Sequence, residues 1–334
     1  MKRPIVLVTV AAMLLTPVAS GAAQAEVTGA NGQIAFERLA PGAVDAPGQG
    51  TVFVANPDGT HSQQVPLAYP TDVDTAIDWS PDGTKLLLSH VVRLDSSGNC
   101  CLPFRPAIVN ADGSDFQLLT MTYAPFDVNC LAWTTDQKRL LCGFGEGSIG
   151  IYSVRASDGG DPRQLTAYPF GPNCNSCDEP TDVAPDGSQF VFLRFRRENA
   201  PGGQQVAMYV ENINGTGLRQ LTPYGLAAPH EVASAQWSPD GTRIISETTA
   251  GLLFTVQPDG TGLRTIHLQV GTGNYFAFQA HWSPDGTRII FGMFINGGEG
   301  IYTASPDGSN VVQVTDAPTG FDTEPDWGTH SLAR

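Results

Sequence analysis

The sequence predicts an all-β fold, a six-bladed β-propeller closed by pairing of its N-terminal strands with its C-terminal strand. Three observations lead there. A turn-centred unit, Trp-Ser-Pro-Asp-Gly, recurs along the chain. A second unit built on Asp-Gly interleaves with it. The two ends of the chain carry complementary fragments of one repeat.

The fullest copy of the first unit runs from Trp282 to Phe291. Its Pro284-Asp285-Gly286 has the chemistry of a tight turn: proline presets φ, aspartate bonds to nearby backbone, and glycine accepts positive φ. The stretch from Thr287 to Phe291 is β-branched and aromatic, as suits a half-buried strand. Trp79-Ser80-Pro81-Asp82-Gly83 and Trp237-Ser238-Pro239-Asp240-Gly241 repeat it. Trp133-Thr134-Thr135-Asp136 and Val183-Ala184-Pro185-Asp186-Gly187 are degraded copies, and a sixth begins at Trp327-Gly328. All five tryptophans hold this one position, Val183 fills the remaining copy, and the anchors lie 54, 50, 54, 45 and 45 residues apart. Such spacing of a rare residue marks a repeat architecture.

The second unit appears at Asp58-Gly59, Asp112-Gly113, Asp158-Gly159, Asn214-Gly215, Asp259-Gly260 and Asp307-Gly308. Each follows an apolar run, such as Met208-Tyr209-Val210, and usually precedes a Gln-Leu-Thr-like segment. Asp-Gly and Asn-Gly are strong hairpin signals. Two hairpins in about 50 residues make the four strands of a propeller blade.

In chain order, residues 1–25 read as a secretory signal peptide: Lys2 and Arg3, an apolar run from Ile5 to Leu15, then Ala23-Gln24-Ala25 as a cleavage site. No other run is long enough for a transmembrane helix. Residues 26–334 are expected to form the propeller. Gln33-Ile34-Ala35-Phe36 resembles a second strand without its first, and Asp322–Trp327 resembles a first strand without its second. The two complete each other, which closes a ring and removes exposed edges. The expected blades run approximately 75–120, 128–166, 178–222, 232–268 and 277–315, with the composite blade joining residues 32–67 to the C-terminal strand. This order puts the Pro-Asp-Gly and Asp-Gly turns on one face. The longer, irregular connections fall on the opposite face, where a binding surface is expected.

Composition agrees. Of 334 residues, 41% are apolar and 15% charged, which excludes a disordered chain. The formal net charge of −15 excludes a basic nucleic-acid footprint and favours cationic partners.

The repeat Trp-Ser-Pro-Asp-Gly-x-x-Ile-x-Phe, followed by Ile-Tyr, Asp-Gly and Leu-Thr, resembles the TolB-type propeller repeat, also called PD40 or WD40-like, over roughly residues 30–328. The resemblance implies an exported propeller that binds protein partners. TolB carries a separate α/β domain before its propeller. Only a few residues separate the expected signal peptide from the first strand, so the resemblance is expected to cover the propeller alone. Some propeller lyases hold a divalent metal with several histidines around the channel. Here only His281, and less directly His230, is expected near the channel mouth, and a fold hosts many functions.

Side chains alternate along a strand, so the residues just before the anchors, Asp78, Ala132, Asp182, Gln236, His281 and Asp326, are expected to face the central channel. They could hold a cation or a basic peptide end, or line a water-filled channel. A second acidic shell toward the loop face contains Asp72, Asp74, Asp127, Asp178, Glu179, Glu231, Asp322 and Glu324. Gly145-Glu146-Gly147-Ser148-Ile149-Gly150 matches a dinucleotide fingerprint, but it lies between two strands and reads as a hairpin. Among six cysteines, Cys130 and Cys142 straddle the Trp133 hairpin and are expected to bridge. Cys100, Cys101, Cys174 and Cys177 sit in two neighbouring loops, where cross-bridging, a local Cys174–Cys177 bridge and zinc binding are the alternatives.

The expected function is an exported, monomeric, non-enzymatic scaffold that binds a protein or other macromolecule on its loop face and channel mouth. The alternative is a lyase or hydrolase with a metal-assisted site in the channel. No cofactor is expected under the first reading; a divalent cation in the channel belongs to the second.

Overall fold

The computed structural model describes residues 30–39, 50–67, 73–91, 105–121, 128–144, 150–167, 178–197, 204–226, 232–271, 274–316 and 320–329. Three strands come first: β1 (Ile34–Leu39), β2 (Gly50–Ala55) and β3 (Gln63–Gln64). Blade 1 is β4 (Val73–Trp79), β5 (Lys85–Val91), β6 (Arg105–Asn110) and β7 (Gln117–Leu118). Blade 2 is β8 (Val128–Trp133), β9 (Arg139–Phe144), β10 (Ile151–Arg155) and β11 (Arg163–Gln164). Blade 3 is β12 (Asp178–Val183), β13 (Gln189–Arg197), β14 (Gln204–Asn212) and β15 (Arg219–Gln220). Blade 4 is β16 (Gln236–Trp237), β17 (Ile244–Glu247), β18 (Leu253–Val256) and β19 (Arg264–Ile266). Blade 5 is β20 (Tyr275–Trp282), β21 (Ile289–Ile295), β22 (Gly298–Ala304) and β23 (Val312–Gln313). Finally β24 (Phe321–Trp327) joins the N-terminal strands in the order β24-β1-β2-β3, which is blade 6. All paired neighbours within the blades run antiparallel.

The expected closure is present. Ile34 pairs with Trp327 and Ala35 with Asp326, and Gly32 N–H donates to Gly328 O at 2.9 Å. The turns are built as their residues dictate. Asp82 Oδ1 accepts from Thr84 N (3.0 Å), Thr84 Oγ1 (2.7 Å) and Ser80 Oγ (2.7 Å), while Gly83 takes φ 65°. Asp240 and Asp285 repeat this network.

The core is six separate slabs rather than one mass, each between successive blades. Trp79 packs in the slab between blades 6 and 1, Trp133 between 1 and 2, and Val183 between 2 and 3. Trp237, Trp282 and Trp327 hold the same place in the next three slabs. Burying such a side chain is worth about 1.5–3 kcal/mol, so each anchor ties its blade to the one before. The indole Nε1–H of every anchor tryptophan is buried without an acceptor.

Cys130 and Cys142 face each other in the β8–β9 register and form a disulfide. Cys100, Cys101, Cys174 and Cys177 lie outside the described residues, as do Asp72, Asp127, Glu231, His230 and residues 145–149. Among the described residues no helix is long and apolar enough to cross a membrane.

Candidate functional site: the channel and its mouth

The first strands of blades 1, 2, 3, 5 and 6 each change register just before the anchor. A bulge adds a residue and re-aims side chains. Gln279 and Glu324, with φ of 51° and 48°, sit at two of these bulges. Residues on both sides of the bulge thus reach the channel.

The residues before the anchors form a ring of inter-blade hydrogen bonds. Asp182 Oδ2 of blade 3 accepts from Trp237 N of blade 4 at 2.7 Å. Gln236 Oε1 of blade 4 accepts from Trp282 N of blade 5 at 2.8 Å. Asp326 Oδ2 of blade 6 accepts from Trp79 N of blade 1 at 2.7 Å. Where the preceding blade offers Ala132 or His281, the anchor N–H turns to its own blade. Val183 N donates to Asp182 Oδ1 and Trp327 N to Asp326 Oδ1, both at 2.7 Å. His281 Nδ1 lies 2.9 Å from Asp326 Oδ1 and 2.8 Å from Gln236 Nε2. Burial pushes the Asp326 carboxyl up, but His281 and the two anchor N–H groups outweigh it and hold its pKa low.

This ring divides the channel. On the turn side a space of about 60 Å³ is lined by Trp79, Trp237, Trp282 and Trp327. On the loop side a bowl of about 430 Å³ opens. Asp78 and Gln236 border both. The bowl is walled by Thr75, Asn129, Glu179, Gln279, His281 and Glu324 among others. Of the expected channel residues, Asp78, Gln236, His281, Glu179 and Glu324 therefore meet in the bowl, while Asp182 and Asp326 line the turn side. Glu179 is half-buried in the wall, and desolvation raises its pKa.

Asp74, Asp178 and Asp322 do not stand at an acidic rim. Each is buried and paired across to the second strand of its own blade. Asp74 Oδ1 lies 2.9 Å from His90 Nδ1 on β5. Asp178 takes Arg194 Nε (2.6 Å) and Nη2 (2.7 Å), and Asp322 takes Arg38 Nε (2.6 Å) and Nη2 (2.8 Å). The guanidiniums lie over aromatic faces: Arg194 is 5.0 Å from the Tyr209 ring and Arg38 is 4.7 Å from Phe53. The physical reason is register. These aspartates sit directly opposite His90, Arg194 and Arg38, one step inside the sheet, where an unpaired charge would be costly. His90 thus lies on a second strand and is buried away from the channel.

Sequence reasoning missed two buried carboxyls beside the bowl. Glu37 on β1 is buried; Thr75 Oγ1 donates to Glu324 Oε2 at 2.7 Å and lies 3.3 Å from Glu37 Oε2. Burial, then repulsion from Glu324, pushes Glu37 up to about 8. Glu247 on β17 accepts from Gln279 N at 2.9 Å and from Ser234 Oγ, and burial raises its pKa. Both follow a buried run, Ile34-Ala35-Phe36 and Ile244-Ile245-Ser246, at the strand position held by Ser89, Gly143, Leu193 and Gly292 elsewhere. A lone charge at that position was the available signal. Among the described residues no three His, Cys, Asp or Glu side chains group at metal-ligand spacing.

No family model matches the chain, and no curated protein does. Solved structures do. TolB from Acinetobacter baumannii is 18% identical with a TM-score of 0.63, over 89% of this chain and 66% of that one. The chain thus spans just under two thirds of that protein. A putative TolB from Agrobacterium tumefaciens is 17% identical with a TM-score of 0.60, over 86% of this chain and 90% of that one. Hydrazine synthase of Kuenenia stuttgartiensis is 15% identical with a TM-score of 0.65, over 91% of this chain and 48% of that one. At such identities the likeness speaks to fold. By fold, the chain is a TolB-like six-bladed β-propeller.

Proposed function

We propose that the protein is an exported, non-enzymatic propeller scaffold that binds a protein partner on its loop face, at the channel mouth. The observation that carries this reading is the bowl of about 430 Å³, walled by Glu179 and Glu324. Its floor residues Gln236, His281 and Asp326 are engaged in hydrogen bonds between blades. A shallow acidic bowl over a closed floor suits a protruding cationic segment, such as a chain end or loop. Export is supported by the signal-peptide pattern and by the Cys130–Cys142 disulfide, which is at home in an oxidising compartment. A monomer is consistent with outer strands only two or three residues long, which offer little edge for pairing.

A second reading, a lyase or hydrolase in the channel mouth, draws on Glu37 and Glu324. Two carboxyls within reach of one hydroxyl, one with a pKa near 8, form an arrangement that can move protons. The two readings separate experimentally. Titration with a lysine-rich peptide should give saturable, salt-sensitive binding that Glu179→Gln with Glu324→Gln weakens. Thermal shift with divalent metals, with and without chelator, should show little change. A large metal-dependent shift abolished by Asp182→Ala or His281→Ala, with no peptide binding, supports the enzyme instead.

A further inference from the structure

Blades 2 and 4 carry the same pair of arginines on the turn face, with one difference between them. In blade 2, Arg139 on β9 and Arg163 on β11 clasp a carboxylate from their own blade. Arg139 Nη1 donates to Asp161 Oδ2 at 2.8 Å, and Arg163 Nη2 donates to the same oxygen at 2.7 Å. Arg139 Nε also donates to Ser153 Oγ at 3.0 Å. The register of blade 4 reproduces the frame: Ser153 pairs with Arg163 as Thr255 pairs with Arg264, and Leu141 with Ser153 as Ile245 with Thr255. Arg243 therefore corresponds to Arg139 and Arg264 to Arg163. The residue corresponding to Asp161 is Gly262.

Both positions are left-handed, with φ of 51° at Asp161 and 65° at Gly262. The backbone is conserved between the blades while the carboxylate is missing. Arg243 keeps one long side-chain bond, Nη1 to Thr255 Oγ1 at 3.3 Å. Arg264 makes no hydrogen bond among the described residues; the charge near it is Asp307, whose pKa it helps to lower. Both arginines line a cleft of about 380 Å³ between blades 4 and 5, with Pro239, Ile266, Trp282 and Pro306 as apolar wall.

We propose that this cleft binds an organic monocarboxylate, held by Arg243 and Arg264 where blade 2 holds Asp161. Two guanidiniums around one carboxylate match its geometry and charge. The apolar wall takes the body of the ligand. Asp240, Asp285 and Asp307 also border the cleft, but each is turned into its own turn. Asp240 Oδ1 accepts from Ser238 and Thr242, Asp285 Oδ1 from Ser283 and Thr287, and Asp307 Oδ1 from Ser309. Their negative field disfavours a dianion such as phosphate and leaves room for a single charge. The site lies on the face opposite the bowl and stands independently of the proposed scaffold role.

The test is a binding titration by NMR or calorimetry with benzoate and with a short peptide ending in phenylalanine, each beside its neutral amide. The acids should bind about tenfold or more tightly than the amides, as charge-assisted hydrogen bonds require. Arg243→Gln and Arg264→Gln should each weaken the acids about tenfold. Gly262→Asp should abolish binding by supplying the blade 2 carboxylate internally. Whether benzoate or the peptide binds more tightly identifies a free acid or a chain end as the source. Equal binding of acid and amide, no saturable binding of either acid, or arginine variants that bind as the wild type would overturn the assignment.

Discussion

Asp326 on the last strand accepts the backbone N–H of Trp79 on β4 at 2.7 Å, across the junction where the ring closes. The same carboxylate takes Trp327 N–H and His281 Nδ1. One residue therefore joins blades 5, 6 and 1. The apolar slabs that also tie the blades are non-directional. The hydrogen-bond ring supplies the angular register that the slabs lack.

Asp326→Ala should consequently cost about 2–4 kcal/mol, since it strands buried donors and removes a paired charge. Asp182→Ala frees the N–H groups of Val183 and Trp237 but leaves the closure intact, so it should cost less. Chemical denaturation of both variants checks the order. An equal cost would show that the closure carries no special weight.

Glu37 gives the fold a pH dependence of stated sign. Its folded pKa, about 8, lies above the ordinary value of 4.5, so the folded chain keeps a proton that the unfolded chain releases. Stability from this group is fully present below about 4.5 and is lost as pH rises through about 8. Glu37→Gln should match the wild type at low pH and become progressively more stable than it from pH 4.5 to 8. Glu324→Gln should shift the wild-type loss to higher stability in the same window, because it removes the neighbouring charge. Unfolding midpoints across this range measure both.

The Cys130–Cys142 bridge closes a loop with a sequence separation of 12. The Cys130→Ala, Cys142→Ala double variant should lose about 2–3 kcal/mol, the value usual for a loop of this size. Reducing agent should lower the stability of the wild type by more than that of the variant.

The buried, unsatisfied indole N–H groups make a further contrast. Trp133→Phe removes a stranded donor along with some apolar area, so it should cost less than about 1 kcal/mol. Trp133→Ala opens a cavity in the slab between blades 1 and 2 and should cost about 3–5 kcal/mol. Val183 already shows that the position tolerates a smaller apolar side chain. Thermal or denaturant melts of the two variants decide the matter.

The fold was legible because each anchor tryptophan and each Asp-Gly turn has a local chemical signature at fixed spacing. The composite blade could be read from two fragments that each lacked a partner, Ile34–Phe36 and Asp322–Trp327. The Cys130–Cys142 pairing followed from symmetric placement about a turn. The site was legible only in part. Alternation along a strand put Asp78, Gln236 and His281 in the channel, but it could not tell a rim from a pairing partner. Asp74, Asp178 and Asp322 alternate correctly yet lie opposite His90, Arg194 and Arg38, and only the cross-strand register shows that. The bulges bring Thr75 and Asn129, each three residues before the channel position of its strand (Asp78 and Ala132), onto the bowl wall, an odd offset that strict period-two counting does not give. Gly262 carries no signal of its own in the sequence; its meaning comes from its match in position to Asp161.

Docking of a protein partner in the acidic bowl, as proposed, is tested by position-specific photo-crosslinking. A photoreactive side chain at Ala233, on the bowl wall, is compared with one at Lys138, exposed on the turn face. Each is presented to exported proteins of the source cell. A discrete protein adduct is expected at Ala233, lost with Glu179→Gln and Glu324→Gln and not formed at Lys138. The same adduct from both positions, or none at Ala233, would contradict it.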